Sequence, residues 1–251
     1  MSSSRFFSVD STKAIKAQGY GYLNAINYMA PANTAGAGNL CPHASPGCLA
    51  LCLGWYSGQS AMLSNAELET GTNATRNSRA RKSVQFMHER KVFIAHMHAG
   101  IDSAKRKAQR EGLKLCVRPN GATDIVWESV SPDTFTKYSD IQFVDYTKNY
   151  RRMLRFCSGK LPSNYHLTFS RSETNWEQCA DVARAGGNVA VVFSELIKVS
   201  ALLHGYRGLP VVDGDLHDLR HLDPKGGFVI ALSPKGRKTK LDQSGFVVRS
   251  L

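Results

Sequence analysis

The chain has 251 residues, of which 42% are hydrophobic and 21% are charged, and its net charge is +12. This composition is ordinary for a globular protein, so we expect one domain over residues 1–251. No apolar run approaches the ~20 residues that span a bilayer, and the polar opening MSSSRFFSVDST lacks the apolar segment of a secretory signal. These features argue against contact with a membrane and against secretion.

Cysteines and basic residues are the two informative parts of the composition. A reducing cytoplasm keeps thiols free, so the six cysteines are expected to be metal ligands or buried thiols. Basic residues recur in runs at 76–82, 105–110, 150–155 and 234–240. The excess favours nucleic acid or a nucleotide as partner, because each neutralised phosphate releases counterions. The alternative is an ordinary solvated basic surface.

The first half of the chain is predicted to contain a strand, a loop and helices. A strand is predicted near residue 22, and it is followed by a cysteine-bearing loop at about 39–58. Residues 66–110 are rich in helix formers and predict two helices. The second helix is amphipathic, with these residues at helical spacing: Val92, Phe93, His96, Met97 and Ile101.

From residue 113 onward, short apolar runs recur at intervals of roughly 20 to 30 residues, which leaves room for a crossover between most of them. They lie at 113–117, 141–146, 165–169, 188–193, 209–212 and 228–232. Runs of nearly continuous apolar character are typical of parallel strands that are buried on both faces. Together with the strand near residue 22, they predict an α/β fold, namely a partial or irregular (β/α) TIM-like barrel with mostly parallel strands. The alternative is an open three-layer sheet.

Polar residues follow most of these predicted strands. Because the carboxyl ends of parallel strands share one edge, where ligands bind, we expect the polar residues to surround one site. The predicted catalytic residues are Asp145, Lys148, Glu173, Asp213, Asp215 and Lys235. The predicted substrate-binding residues are Arg118, Asn120, Asp124, Glu128, Ser170 and Asn175. The alternative for several of them is helix capping, which uses the same residue types.

Three cysteines form the strongest motif of the sequence. Cys41, Cys48 and Cys52 have the spacing C-x6-C-x3-C, and a helical turn that starts near Gly47 would place the last two thiols on one face. Three thiolates in one loop suit an iron–sulfur cluster or zinc. The absence of a C-x2-C pair favours the cluster, and three ligands would leave one iron open.

The remaining candidates for a fourth ligand are few. Cys116 and Cys179 lie in an apolar strand and a helix-like stretch, where a buried thiol is expected. Cys157 is placed in a loop and is the best remaining thiol for a fourth ligand. His43, inside the cysteine loop, is a second candidate.

Several segments together resemble a family of uncharacterised bacteriophage proteins, with the phage gene product 88-like group as a more distant relative. The resemblance extends from about residue 19 to residue 247 and rests on segments such as NLCPHASPGCLALCLG, VRPNGATDIVWE, SNYHLTFSRSETN and VVDGDLHDLRHLDPKGGFVIALSPKG. It implies a phage origin, hence the host-cell cytoplasm, and it implies that Cys41, Cys48 and Cys52 are cluster ligands.

The arrangement is also similar to the radical S-adenosylmethionine enzymes, which are partial barrels with three cysteines after the first strand. Those enzymes typically have C-x3-C-x2-C, so the cysteine spacing of this chain differs.

The leading hypothesis is therefore a phage-encoded iron–sulfur enzyme. An open-site [4Fe-4S] cluster would lie at the carboxyl-end edge of the sheet and act on a nucleotide or a nucleic-acid-related substrate, with S-adenosylmethionine as a candidate second cofactor. The alternative is a non-enzymatic module that binds nucleic acid or a host protein and contains a structural iron–sulfur or zinc site.

Overall fold

A computed structural model describes residues 6–250 and contains seven strands at the predicted positions. The strands are β1 (Tyr22–Ile26), β2 (Lys114–Arg118), β3 (Gln142–Thr147), β4 (Tyr165–Ser170), β5 (Val189–Val192), β6 (Val211–Asp213) and β7 (Val229–Leu232). All of them belong to one parallel sheet with the order β1-β2-β3-β4-β5-β7-β6. The prediction of an α/β fold with parallel strands is confirmed.

Helices connect most of the strands. They are α1 (Thr12–Gln18), α2 (Pro46–Ala50), α3 (Leu53–Tyr56), α4 (Asn65–Thr70), α5 (Ala74–His88), α6 (Arg90–Arg110), α7 (Trp127–Val130), α8 (Asp133–Lys137), α9 (Tyr150–Cys157), α10 (Trp176–Arg184), α11 (Glu195–His204) and α12 (Arg237–Lys240), with 3₁₀ helices at Gly58–Ala61 and Arg220–Leu222. No helix in the described part of the chain is long and apolar enough to cross a membrane.

The helical region that begins near residue 66 contains three helices rather than two. Gly71 has a φ of 66° and ends α4, and the side chain of Asn73 then accepts a hydrogen bond from the amide of Arg76 at the start of α5. In α6 the predicted apolar stripe is partly confirmed, because Phe93 and its helical neighbours are buried whereas Val92 is 44% exposed.

The sheet is open, so the predicted barrel is not confirmed. In the described residues the edge strands β1 and β6 do not pair with each other, and β7 lies between β5 and β6. The residues that follow β6 reach across to the β1 side instead. The rings of His217 and Tyr20 are 4.6 Å apart, and Lys16 Nζ donates a hydrogen bond to the carbonyl of Asp215 at 2.8 Å.

The order of the strands explains which face each connection covers. Strands β1 to β5 follow one another in space, so right-handed crossovers place their helices on one face. That face forms the main apolar core, in which Phe93 of α6 and Val182 of α10 share one cluster with Phe143 and Val191. The step from β6 back to β7 runs in the opposite direction, and the 3₁₀ helix at Arg220–Leu222 on this connection packs on β3 and β4.

Phe93 provides a test of this core. It is fully buried, and its ring lies 5.2 Å from Phe6, 5.4 Å from Phe86 and 6.2 Å from Trp127. We expect Phe93→Ala to lower the free energy of unfolding by ~3–5 kcal/mol in urea denaturation, because it removes packed aromatic surface and leaves a cavity. The control Val92→Ala, on the solvent side of α6, should change it by less than ~1 kcal/mol. Equal effects of the two substitutions would contradict the assigned helix face.

Candidate functional site

A cavity of about 210 Å³ lies at the carboxyl ends of five strands. Its lining includes one residue at or near the end of each of β2, β3, β4, β5 and β7, namely Arg118, Tyr146, Ser170, Val192 and Leu232. The opposite wall is the cysteine segment, from which all three predicted ligands, Cys41, Cys48 and Cys52, line the cavity. The strand ends and the cysteine motif, which are distant in sequence, therefore meet at one site.

The cysteine segment begins with a short capped helix. Ser45 precedes Pro46, and its hydroxyl accepts a hydrogen bond from the amide of Cys48 at 3.2 Å. The helix ends at Ala50, and Cys52 has non-helical backbone angles (φ −52°, ψ 116°). The prediction that Cys48 and Cys52 share one helical turn is therefore wrong, although both line the same cavity.

Glu173 attaches this helix to the end of β4. Its carboxylate accepts hydrogen bonds from the hydroxyl of Ser45 and the amide of Gly47, both at 2.7 Å. A Cβ on Gly47 would lie 2.8 Å from that carboxylate, so the close approach requires glycine. Burial opposes ionisation, but the hydrogen bonds lower the pKa of Glu173. Predicted to be catalytic, Glu173 thus lies where it positions the cysteine segment.

Helix α5 holds the same segment from the other side. Arg76 donates hydrogen bonds to the carbonyls of Ser60 at 2.7 Å and Trp55 at 3.0 Å, and Arg79 donates to the carbonyl of Gly54. Burial lowers the pKa of Lys82 to about 8. Much of the basic run at 76–82 therefore binds the chain itself rather than facing solvent.

The three sulfurs are close enough to influence one another. Burial raises the pKa of Cys41 to about 12, and the charges of Cys52 and Cys48 act in the same direction. Burial raises the pKa of Cys52 to about 11, while the backbone amides of Gly54 and Trp55 oppose the shift. The amide of Ala32 donates to Cys41 Sγ at 3.3 Å. Amide hydrogen bonds to sulfur are a feature that tunes iron–sulfur centres.

The donor set does not form a site for a single metal ion among the described residues. Within residues 6–250, no three His, Cys, Asp or Glu side chains converge in a way that could hold one metal ion. Zinc in a structural site needs four such ligands around one point. In an iron–sulfur cluster each thiolate binds a different iron, so three thiols spread along one cavity wall are compatible with it.

Neither candidate for the fourth ligand reaches this cavity. Cys157 is the last residue of α9 rather than part of a loop, and it lines a separate cavity with His166 and Asn188 near the amino ends of β4 and β5. His43 is exposed, and it is not among the residues that line the cysteine cavity. Cys116 and Cys179 are buried as predicted.

Half of the predicted polar residues line the cavity and half do not. Those that line it are Arg118, Asn120, Asp124, Lys148, Ser170 and Lys235; those that do not are Glu128, Asp145, Glu173, Asn175, Asp213 and Asp215. The second group forms hydrogen bonds or ion pairs within the protein. Asn175, for example, accepts from the amide of Ser172 and donates to the carbonyl of Ser170, which fixes the turn after β4.

Asp145 organises the loop that follows β2. It accepts hydrogen bonds from the amide of Asn120 at 2.8 Å and from the hydroxyl of Tyr165 at 2.6 Å. Burial raises the pKa of Asp145 to about 7, whereas Arg152 acts to lower it. Arg152 is itself buried and pairs with Glu128 at 2.7 Å and Asp124 at 3.4 Å. These carboxylates are bound to partners rather than available to a ligand.

The carboxylates after β6 are paired with a lysine that sequence reasoning missed. Lys198 of α11 contacts Asp213 at 2.6 Å and Asp215 at 2.8 Å, and Lys235 contacts Asp215 at 3.1 Å. The available signal was a single lysine inside the apolar helix ELIKVSALLH. The apolar and aromatic part of the lining was not predicted from the sequence either. It includes Leu49, Leu51, Leu53, Tyr146 and Phe246.

Comparison with known proteins identifies one family. A sequence model for the family described as Gene product 88 matches residues 5–250. Neither the curated proteins nor the solved structures give a match.

The role of Glu173 can be tested without any cofactor. We expect Glu173→Ala to lower the free energy of unfolding by ~1–3 kcal/mol and to speed the labelling of Cys48 by a thiol reagent, because the amide of Gly47 and the hydroxyl of Ser45 lose a charged acceptor. Glu177→Ala, an exposed position on α10, is the matched control. Labelling at the unaltered rate in Glu173→Ala would refute the positioning role.

Proposed function

Because the chain belongs to the phage gene product 88 family, we propose that it is a phage-encoded iron–sulfur protein that acts in the host-cell cytoplasm. Cys41, Cys48 and Cys52 would hold the cluster. One observation carries this proposal: three thiols from one short segment line the same cavity as the ends of five parallel strands. Thiols placed for packing alone would have no reason to face a ligand-sized cavity.

The proposed cluster is [4Fe-4S] with one iron open to a ligand. Three protein thiolates account for three irons, and such a centre supplies one-electron chemistry or a Lewis-acid position when bound. S-adenosylmethionine is proposed as a ligand of this iron, because three cysteines in a loop after the first strand are similar to the arrangement in the radical S-adenosylmethionine enzymes. Leu49 and Leu53, which flank the cysteines on the cavity wall, would limit the access of water.

An enzyme is the form of this proposal that the cavity supports best. The polar lining carries more positive than negative charge, with Arg118, Lys148 and Lys235 against Asp124. Asp124 already accepts from the hydroxyl of Thr147 and the amide of Lys148, both at 2.8 Å. The side chains therefore favour binding an anionic substrate, such as a nucleotide or a nucleic-acid-related molecule, over general acid–base catalysis.

A second candidate is a binding module in which an iron–sulfur or zinc site is structural. Three observations favour it. All four predicted catalytic carboxylates are engaged in ion pairs or hydrogen bonds, and Arg237 and Lys238 of α12 are exposed beside the cavity. In addition, Lys238 Nζ lies 3.6 Å from the ring centroid of Tyr56, next to the cysteine segment. Such a surface would bind nucleic acid or an acidic host protein.

Anaerobic purification with metal analysis tests the cluster. We expect a brown protein with about four irons per chain and a broad visible absorption. Cys48→Ser should lose most of the iron and the colour, because it removes a thiolate ligand. The control Cys157→Ser, at the other end of the sheet, should keep both.

The same samples separate the alternatives. A colourless protein with one zinc per chain would overturn the cluster and support the zinc-stabilised module. Iron that resists reduction and supports no cleavage of S-adenosylmethionine, together with tight and steeply salt-dependent binding to nucleic acid, would support the binding module with a structural cluster.

A further inference from the structure

Lys148 differs from the other charged residues of the cavity in having no ion-pair partner among the described residues. Arg118 pairs with Asp218 at 2.8 Å, Lys235 pairs with Asp215, and Asp124 pairs with Arg152. No carboxylate of residues 6–250 lies within ion-pair distance of Lys148 Nζ. Lys148 is thus the one charged side chain of this lining without an ion pair among the described residues.

The position of Lys148 is fixed by its surroundings. Its amide donates to Asp124 at 2.8 Å, and the next residue, Asn149, caps α9. The side chain is half-buried, with Nζ 5.5 Å from the ring centroid of Phe246. Glu173 is in electrostatic range of Lys148, and its carboxylate, which is hydrogen-bonded to the neutral donors Ser45 and Gly47, stays beyond ion-pair distance of the ammonium. A partly desolvated cation without a contacting counter-ion is costly, so the arrangement favours an anionic partner from outside the chain.

The other residues that line the cavity indicate the chemistry of the rest of the ligand. Leu49 and Leu53 leave apolar surface exposed beside the cysteines, and Phe246 adds an aromatic ring next to Lys148. We propose that the cavity binds a small molecule that has one anionic group on an apolar or planar body, and that Lys148 binds the anionic group. This inference rests on the proposed function only in sharing its cavity, and it needs no metal. A phosphate and a carboxylate are the two forms of the anionic group.

Titration calorimetry on the anaerobically reconstituted protein tests the anchor, with adenosine monophosphate, adenosine 5′-carboxylate and uncharged adenosine as probes. At least one charged probe should bind more tightly than adenosine. Lys148→Met should weaken that binding by about tenfold or more, because a charge-assisted hydrogen bond is lost. Lys148→Arg should retain most of it, and adenosine should be unaffected. Lys160→Met, in the exposed loop before β4, is the control.

Three outcomes would overturn the assignment. They are no preference for either charged probe over adenosine, unchanged binding in Lys148→Met, and loss of iron in Lys148→Met, which would make the lysine a counter-charge of the metal centre. Metal analysis of the wild-type sample reports separately on the proposed function. A preparation without iron that still binds a charged probe through Lys148 would overturn the cluster and keep the anion site.

Discussion

The hydrogen bonds between Glu173 and the start of α2 are the contacts on which the geometry of the site depends. They join residues 126 and 128 positions apart in sequence, so they connect the cysteine segment directly to the end of β4. A carboxylate at a helix N-terminus is favoured by the exposed amides and by their partial positive charge. The loop after β2 holds the other end of the segment, where the amide of Asp124 donates to the carbonyl of Leu40 at 2.9 Å and Cys41 Sγ donates to the carbonyl of Ala122 at 3.6 Å. Glu173 therefore fixes the end of the segment that contains Cys48.

The order of the strands in the sheet determines which residues pack around those strand ends. Consecutive order from β1 to β5 leaves one face free of crossover helices, and the reversed step from β6 to β7 returns the chain across it. Arg220 is fully buried on this second face and pairs with Asp223 at 3.1 Å, while Asp218 contacts Arg118 and Tyr146. The floor of the cavity is thereby held by a polar layer rather than by an apolar core.

Part of the positive charge of the chain is buried inside the protein. Arg76, Arg152 and Arg220 are buried, and each donates hydrogen bonds to carbonyls or contacts carboxylates within the protein. Buried charges require such partners, because desolvation is otherwise too costly. The net charge of +12 therefore overestimates the positive charge that a polyanion could contact at the surface. The few cations near the cavity become the more important ones for binding an anion.

The sequence by itself determined the seven strands, their parallel arrangement and the cysteine motif, because apolar periodicity and local spacing are properties of neighbouring residues. Only the tertiary structure decided which polar residues reach the cavity. Asp145 and Asp213 lie within strands, and Asp215 follows one as Lys148 does. The partners of these aspartates, Tyr165, Lys198 and Lys235, come from other parts of the chain. Whether the sheet closes into a barrel, and how far Cys157 lies from the cysteine cavity, likewise depend on strand order and helix packing. Local sequence cannot encode these contacts, since each is settled by which residue is nearest in space.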